Sequence, residues 1–344
     1  MTEPSVPPRS RRIAVDAMGG DQAPAVIVDG AVAAARHLHL RLLFVGESGA
    51  IRRELARQRD AASIEIDILD TPEAVGMAEA PAAALRRKPR ASIRLAAEAV
   101  AEGRADALFS AGNTGATLMA AHAALRLLPG VDRPALAATI PTRRGSAVLL
   151  DVGANVECRP QHLLQFAAMG AVYAQVALHT ASPQIGLLSI GEEETKGNEL
   201  TREAHRLMKG LSGFQGNVEA RDVYSGAVDV IVCDGFTGNI ALKVSEGLVE
   251  AVEDLLGQEL QRTFATRVGY LLSLRAFRRF RRRVDYSEYG GAPLLGVNGV
   301  CIVGHGRSSA KAVRNALAMA NRFVAEDVVR RLERGIAAVA VQQP

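Results

Sequence analysis

Four glycine-containing segments with polar side chains follow short apolar runs in this sequence, and their residue types suit the binding of an anion. They are Asp16-Ala17-Met18-Gly19-Gly20-Asp21, Ser110 to Gly115, Asp151-Val152-Gly153-Ala154-Asn155, and Asp234 to Asn239. A glycine turn between a strand and a helix leaves backbone N–H groups free, and the helix dipole adds partial positive charge. Turns of this kind around one sheet predict a shared crevice.

The segment after Ala107-Leu108-Phe109 is the most informative. The apolar run predicts a buried strand, and the strong helix formers from Ala116 to Leu127 predict a helix. Gly112-Asn113-Thr114-Gly115 connects the two. Two interpretations fit this spacing: a tight turn in which Thr114 caps the helix, or a site where backbone N–H groups hold an anion.

Aspartates stand at the predicted strand ends: Asp16, Asp21, Asp151 and Asp234. Such carboxylates either ligate a metal ion or accept hydrogen bonds within their own turns. The second interpretation is favoured, and neither a metal nor a cofactor is predicted. Lys196, in the acidic loop from Gly191 to Asn198, is either a solvated residue or a cation that meets a phosphate. His305 precedes a predicted helix, a position suited to anion binding or acid–base chemistry.

A strongly basic segment covers residues 260–284, with eight Arg and no Asp or Glu. The whole chain has a net charge of +4, so the remainder is net negative. At helical spacing, one face carries Tyr270, Leu274, Phe277 and Phe280, and the other carries Arg275, Arg278, Arg279 and Arg282. This pattern fits an anionic membrane surface or nucleic acid, and the two Phe favour the membrane. The predicted membrane-facing residues are Leu271, Leu274, Phe277, Arg278 and Phe280.

Composition narrows the class of protein. The 344 residues are 48% hydrophobic, typical of a globular chain, and the absence of Trp leaves few aromatic platforms for nucleic-acid bases. The cysteines Cys158, Cys233 and Cys301 are isolated from one another, which favours a reducing cytoplasm. The sequence has no run of about 18 apolar residues. It also lacks the Walker A, GxGxxG, HExxH and GxSxG motifs.

Strands and helices alternate along most of the chain, which predicts an α/β fold with a doubly wound, mostly parallel sheet and ligands at the carboxyl ends of the strands. Consecutive strands at 136–140 and 147–150 predict one antiparallel hairpin. We expect a disordered tail over 1–12, a single α/β unit of two lobes over 13–334, and a second tail over 335–344. Residues 239–256 and 308–331 are predicted as helices, and 290–299 as a loop.

Five stretches of the sequence together resemble one family. They are Ile13–Asp21, Ser110–Thr117, Leu150–Glu157, Asp234–Lys243 and Tyr286–Gly296. In this order they are similar to the bacterial acyl-acyl-carrier-protein:phosphate acyltransferases, over about residues 12–331. The resemblance implies a fold similar to isocitrate and isopropylmalate dehydrogenases and to phosphotransacetylases. It also implies that inorganic phosphate attacks the thioester of an acyl carrier protein, giving acyl phosphate for phospholipid synthesis.

The same resemblance implies a cytoplasmic homodimer with peripheral attachment to an anionic membrane. The downstream glycerol-phosphate acyltransferase is a further expected partner, and nucleic acid is not. Because the carrier protein is acidic, we expect it to dock on a basic surface. The basic cluster of Arg86, Arg87, Lys88 and Arg90 is either this surface or an ordinary solvated loop.

Phosphate is itself a nucleophile, so the protein need only position it and stabilise the developing oxyanion. We expect phosphate on the backbone N–H groups of Gly112 to Gly115, assisted by Lys196 and by the side chains of Asn113 and Thr114. The predicted catalytic residues are Lys196, Asn239, His305 and Asp234. The predicted substrate-binding residues are Asp16, Gly19, Gly20, Asp21, Gly112, Asn113, Thr114, Gly115, Asp151 and Asn155. Asn155, Asn239 and His305 are expected to orient phosphate or the carbonyl, while the four aspartates hold the turns.

Three other functions compete with this interpretation. A phosphotransacetylase would use acyl-CoA in place of the carrier thioester, and a dehydrogenase of the isocitrate type would reduce a nicotinamide. A scaffold for a membrane surface or nucleic acid would use only the arginine-rich segment, and it would leave the strand-end turns unexplained.

Overall fold

The computed structural model describes residues 10–59, 61–284 and 290–340. These residues form two compact units. The first contains the described residues up to Pro129 together with 290–331, and the second contains 130–284 together with 332–340. The Tyr286–Tyr289 part of the family-like stretch lies outside the described residues.

The strands are β1 Arg12–Asp16, β2 Arg41–Gly46, β3 Ile66–Asp70, β4 Ala107–Ser110, β5 Ala135–Thr142, β6 Gly145–Leu150, β7 Ile185–Leu188, β8 Phe214–Val218, β9 Val230–Val232, β10 Ala292–Leu295 and β11 Val300–Val303. The helices are α1 Ala25–Leu38, α2 Ser48–Leu55, α3 Pro81–Arg87, α4 Ser92–Ala101, α5 Thr114–Leu125, α6 Pro160–Ala177, α7 Glu199–Met208, α8 Gly235–Gln261, α9 Phe264–Val284, α10 Ala310–Ala325 and α11 Val328–Ala340. Short 3-10 turns cover Ala61–Ser63 and Ala220–Tyr224.

The first unit contains strands in the order β3-β2-β1-β4-β11-β10. All neighbours are parallel except β10 and β11, which are antiparallel. The central strands have both faces covered, so they are continuous apolar runs, with Ile13, Leu108 and Phe109 fully buried. The parallel register of β1 and β4 places Val15 beside Phe109, so the ends of these strands meet at one edge.

The second unit contains strands in the order β5-β6-β9-β7-β8. β5 and β6 form the predicted antiparallel pair, and β9 pairs in parallel with both β6 and β7. Helix α6 lies against β6 and β9, with Tyr173 and Phe166 fully buried. The predicted α/β class with a mostly parallel sheet is therefore confirmed.

Several predicted boundaries are wrong, each for a local reason. Arg12 belongs to β1, paired with Arg41, so the N-terminal tail is shorter than predicted. Residues 292–295 form β10 because they pair with β11, although their flanking glycines suggested a loop. The last predicted helix divides in two at Asp327, which has a left-handed backbone with φ of 51°. The tail predicted from residue 335 is helical to Ala340, because Ile336 is buried.

Candidate active site

The carboxyl ends of β1 and β4 bring Asp16 and Ser110 together in the first unit. Ser110 Oγ donates to Asp16 Oδ2 at 2.7 Å, and the Met18 N–H donates to Asp16 Oδ1 at 3.3 Å. Ser110 Oγ in turn accepts from the Gly112 N–H at 3.1 Å. Burial raises the pKa of the Asp16 carboxyl, while its hydrogen bonds, led by those from Ser92 and Ser110, act in the opposite direction. Asp16 therefore links its own turn to the turn after β4.

Two glycines make this junction possible. A Cβ on Gly19 would lie 2.7 Å from the Gly112 nitrogen and 2.7 Å from Asp16 Oδ2, which is too close for a side chain. Gly20 has a left-handed backbone with φ of 110°, which favours glycine. The turns after β1 and β4 thus touch through their backbones.

Asn113, and not Thr114, caps helix α5. Its Oδ1 accepts from the Ala116 N–H at 3.1 Å, and its Nδ2 donates to the carbonyls of Met77 and Glu79, both at 3.0 Å. The Asn113 side chain is therefore engaged within the protein and holds the turn in place. Thr114, which was predicted as the cap, is the first helical residue and is exposed.

Three backbone N–H groups at the start of α5 remain available. The Gly112 N–H donates to Ser110 Oγ, and the Thr117 N–H donates to the Asn113 carbonyl, so neither is free. Within the described ranges, the N–H groups of Asn113, Thr114 and Gly115 have no hydrogen-bond acceptor. Adjacent free N–H groups at a helix N-terminus can bind one anion. Of the N–H groups predicted to hold an anion, that of Gly112 is already used, and those of Asn113, Thr114 and Gly115 are open.

The turn after β11 joins the same end of the first unit. The Gly304 N–H donates to the Ser110 carbonyl at 2.7 Å, and the Asp21 N–H donates to the Gly306 carbonyl at 2.9 Å. His305 lies between these contacts, half-buried, and its Nδ1 accepts from the Arg307 N–H at 3.2 Å. The structure therefore gathers Asp16, Asp21, His305 and the start of α5 within one unit.

In the second unit, Asp151 is surrounded by donors from its own turn and from strand β5. Its Oδ1 accepts from the N–H groups of Leu136, Gly153 and Ala154, at 2.9, 3.2 and 3.0 Å. Its Oδ2 accepts from the Asn155 N–H at 2.7 Å and from Asn155 Nδ2 at 2.9 Å. Burial raises the pKa of the Asp151 carboxyl, and these donors counteract that effect. The N–H groups of this turn are therefore already used by a carboxylate.

Asn155 is buried, and its side chain also donates to the Pro134 carbonyl at 2.7 Å. Its own carbonyl accepts from the Gly235 N–H at 2.8 Å, which joins this turn to helix α8. The side chain predicted to orient phosphate is thus engaged in holding the turn. Asn155 would therefore affect catalysis only by keeping this turn in position.

Asp234 caps α8, so the helix begins at Gly235 and not at the predicted Asn239. Its carboxylate accepts from the Thr237 N–H at 2.8 Å and from Thr237 Oγ1 at 2.7 Å. Asn239 lies on the second turn of the helix, exposed and close to Gly153. Asp234 therefore has a defined local partner, while the Asn239 side chain faces solvent.

Lys196 is an exposed residue of the loop between β7 and α7. The acids near it have other partners: Glu194 pairs with Lys209 at 2.8 Å, and Glu192 with Arg221 at 3.6 Å. Among the described residues, Lys196 has no carboxylate partner. The Lys196 N–H donates to the Glu193 carbonyl at 3.0 Å, which fixes the backbone from which this cation projects.

The thiols of the half-buried Cys158 and of the buried Cys233 and Cys301 all have raised pKa values. Burial raises the pKa of Cys158 and of Cys301 to about 12, and it raises the pKa of Cys233 well above its usual value. Thiols with such raised pKa values remain protonated near neutral pH. In the part of the chain that the structure describes, no group of three His, Cys, Asp or Glu side chains is gathered as a metal site.

The predicted membrane-facing residues divide between two surfaces. Leu274 and Phe277 face α8, where they line a cleft of about 420 Å³ together with Val252 and Leu256. Phe280 lines the same cleft and is also 48% exposed at its edge, whereas Leu271 lies outside the cleft and is 63% exposed. The Arg278 side chain lies outside the described residues. None of the helices described here has the length and apolar character needed to cross a membrane.

Sequence reasoning did not connect the loop before α3 with the turn after β4. The backbone carbonyls of Met77 and Glu79 accept from Asn113 Nδ2, yet neither residue belongs to an apolar run or to a glycine turn after a strand. Gly76 and Pro81, which bracket this segment, are the available signals of an ordered connection, and Pro81 starts α3.

The fold is that of the phosphotransacetylases. A phosphotransacetylase from Streptococcus pyogenes superposes with a TM-score of 0.64 at 17% identity, over 93% of this chain and 95% of that one. The EutD phosphotransacetylase from Staphylococcus aureus gives a TM-score of 0.56 at 14% identity, over 95% and 94% of the chains. At this identity the likeness shows the fold alone.

Sequence relatives define the family. Residues 11–331 match the family described as "Fatty acid synthesis protein". The Phosphate acyltransferase of Geobacter sulfurreducens is 50% identical over 322 residues, which is 93% of both chains. That of Pelobacter propionicus is 50% identical over 326 residues, 93% of this chain and 94% of its own. The chain belongs to this phosphate acyltransferase family and is an enzyme of the transferase class. The resemblance inferred from the sequence motifs is confirmed.

Proposed function

We propose that this enzyme transfers an acyl group from an acyl carrier protein thioester to inorganic phosphate, giving acyl phosphate and free carrier. One observation carries the proposal: the unused N–H groups of Asn113, Thr114 and Gly115 at the start of α5. They are held by a buried network of Asp16 and Ser110. An oxyanion of phosphorus fits these donors, and the helix dipole favours its negative charge.

The reaction needs positioning more than covalent chemistry. A phosphate oxygen attacks the thioester carbonyl carbon, the carbonyl oxygen becomes an oxyanion, and the carrier thiolate leaves as the tetrahedral intermediate collapses. Holding phosphate and thioester in a near-attack arrangement lowers the barrier by about 7 kcal/mol or more. No protein thiol is required as an intermediate carrier of the acyl group, which agrees with the raised pKa values of the buried cysteines.

Other predicted site residues receive individual roles in this proposal. His305 orients phosphate or the carbonyl from the first unit, where its turn adjoins Ser110 and Asp21. Lys196 supplies a cation to phosphate, and Asn239 supplies an amide to the oxyanion. Asp234 maintains the start of α8. Each role is tested by replacing the residue and measuring the KM for phosphate and the KM for the thioester, because the KM that changes shows which substrate the residue contacts.

The decisive experiment mixes the enzyme, inorganic phosphate and a palmitoyl carrier thioester, then detects acyl phosphate by mass. Palmitoyl-CoA replaces the carrier thioester in a parallel reaction, and a third reaction monitors reduction of a nicotinamide. We expect acyl phosphate from the carrier thioester at the highest turnover. Preferential use of acyl-CoA would support a phosphotransacetylase instead, which is the activity named for the more distant structural neighbours.

We propose that the acidic carrier docks on the exposed cations Arg86 and Arg90, with Arg87 beside them. Lys88 has a different role, because its ammonium contacts Glu79 and donates to the Ala74 carbonyl. Exposed charges steer association and are screened by salt. The KM for the carrier should therefore rise strongly with ionic strength in wild type and less in an Arg86→Ala, Arg90→Ala double variant.

We propose a homodimer built on an apolar stripe of α8. Its exposed members recur at helical spacing: Phe236, Ile240, Val244, Leu248 and Leu255. A stripe of this kind needs a partner, and a second copy presents the same stripe in an isologous contact. Light scattering should report twice the monomer mass, and a Val244→Lys, Leu248→Lys double variant should be monomeric.

We also propose that α9 attaches the cytoplasmic enzyme to anionic membranes. Its exposed side chains combine apolar Leu271 and Leu272 with Arg275 and Arg279. Each basic residue near anionic lipid contributes about 1 kcal/mol. Attachment would place the acyl phosphate product near the downstream glycerol-phosphate acyltransferase. Flotation with anionic vesicles, but not with neutral ones, is the expected result, and a DNA-shift assay should show no binding.

A further inference from the structure

A loop of the first unit, residues 74–80, is fixed against the start of α5. Asn113 Nδ2 donates to the carbonyls of Met77 and Glu79, both at 3.0 Å. Within the loop, Glu79 Oε1 accepts from the Gly76 N–H at 2.7 Å. At its base, Lys88 Nζ donates to the Ala74 carbonyl at 2.7 Å and pairs with Glu79. This loop, named here the Met77 loop, is therefore held at both ends beside the three free N–H groups.

The Met77 side chain extends from this loop to the turn after β11. Its Cε would lie 2.5 Å from a Cβ on Gly306, so the methionine rests directly on that glycine. The Gly306 carbonyl accepts from the Asp21 N–H, which ties the same turn to the end of β1. Met77 thus spans from the N-terminus of α5 toward the Asp21 turn.

Met77 is nevertheless 41% exposed. Among the described residues of the first unit, the large apolar side chains that are exposed are Met77 and Met119. Met119 lies more than one turn into α5, beyond the free N–H groups. Met77 is therefore the exposed apolar side chain next to the proposed phosphate position.

We propose that Met77 is a specificity-determining residue that contacts the acyl part of the thioester. This inference rests on the proposed function. Phosphate bound at Asn113 to Gly115 must lie about 3 to 3.5 Å from the carbonyl carbon that it attacks, so the first methylenes of the acyl chain pass close to this turn. A flexible, polarizable thioether suits contact with acyl chains of different shape. The Met77 side chain can occupy its position because residue 306 is a glycine, since a Cβ there would lie 2.5 Å from Met77 Cε.

The test compares Met77→Gln with Met119→Gln, a matched change at an exposed methionine on the same helix as the N–H groups. In initial-rate assays of acyl phosphate formation, Met77→Gln should lower kcat/KM for the carrier thioester by about tenfold, the scale of one lost apolar contact in a substrate pocket. Its KM for phosphate should equal that of wild type. Met119→Gln should match wild type for both substrates.

Two more variants secure the interpretation. Met77→Ala should show the same loss, and Met77→Leu should restore most of the thioester kcat/KM, because it returns an apolar side chain of similar volume. Wild-type thioester kinetics in Met77→Gln would overturn the inference. A change confined to the KM for phosphate would also overturn it, because the Met77 loop would then affect only the turn at the start of α5. A wild-type enzyme that makes no acyl phosphate would instead refute the proposed function itself.

Discussion

Replacing Asn113 with serine separates the two tasks of this side chain. Serine is also a good N-cap, so the bond to the Ala116 N–H is retained in kind, whereas both hydrogen bonds from Nδ2 to the Met77 loop are lost. A net hydrogen bond contributes about 0.5–1.5 kcal/mol. Two of them therefore stabilise the docked loop by about 1 to 3 kcal/mol.

Amide hydrogen exchange measures this loss directly. Local opening of the Met77 loop should increase about 5- to 150-fold for a loss of about 1 to 3 kcal/mol. The Gly76 N–H, which donates to Glu79, is the reporter inside the loop. Asn113→Ala should show the same change in the loop and an additional fraying of α5, because the cap is lost as well, at about 1 kcal/mol.

The matched control is Glu47→Ala. Glu47 caps α2 through the Ala50 N–H at 2.9 Å, and its ion pair is with Arg53; in the described part of the chain, none of its hydrogen bonds or ion pairs involves the Met77 loop. It should destabilise α2 to a similar extent while exchange in residues 74–80 stays at the wild-type rate. Unchanged exchange of the loop in Asn113→Ser would show that Asn113 does not anchor it, and the reasoning from these two hydrogen bonds would be refuted.

Three more predictions follow from contacts in the two units. Gly19→Ala should lower the free energy of unfolding by about 1–3 kcal/mol and reduce phosphate use, because its Cβ would lie 2.7 Å from the Gly112 nitrogen. Gly210→Ala is the control, because the space around Gly210 is open. Wild-type stability and phosphate use in Gly19→Ala would contradict the close approach of the two turns. The pKa of Glu79 is lowered, chiefly by its hydrogen bond from Lys88, so its contribution is present above the ordinary value of 4.5 and is lost as pH falls through the folded-state pKa. As the pH is lowered, the thermal midpoint of Glu79→Gln should therefore fall less than that of wild type. Equal pH dependence of the two midpoints would contradict a stabilising Glu79–Lys88 pair. Lys196→Ala should raise the KM for phosphate at least about tenfold with an unchanged thermal midpoint. The control, Lys209→Ala, should leave the KM for phosphate unchanged. Equal phosphate kinetics in Lys196→Ala and wild type would show that Lys196 does not bind phosphate.

The class of fold could be predicted well because the strands of both units are apolar runs that alternate with helix formers. The strands ending at Asp16 and Ser110 are buried on both faces, so their composition leaves few alternatives. Short elements were harder to predict. β10 is a strand because it pairs with β11, the next strand along the chain, although glycines flank its residues and had suggested a loop; α3 covers only seven residues.

The sequence identified the turns of the candidate site, but not the hydrogen-bond partners of the individual residues in them. Asn113 and Thr114 are both good caps, and only the backbone geometry decides between them. Asp151 and Asn155 looked available to a substrate, yet each is occupied by hydrogen bonds inside its turn. Local sequence reveals that a residue can donate or accept, whereas its partner depends on tertiary packing.

The turn around Asp151 has a broader consequence. The N–H groups of this turn donate to the Asp151 carboxylate, so a side chain of the turn itself occupies the position that an external anion would take. The bend at the start of α5 has similar residue types but leaves its donors open. The two turns therefore differ in what occupies their N–H groups: a carboxylate of the chain itself in the turn after β6, and no acceptor among the described residues at the start of α5.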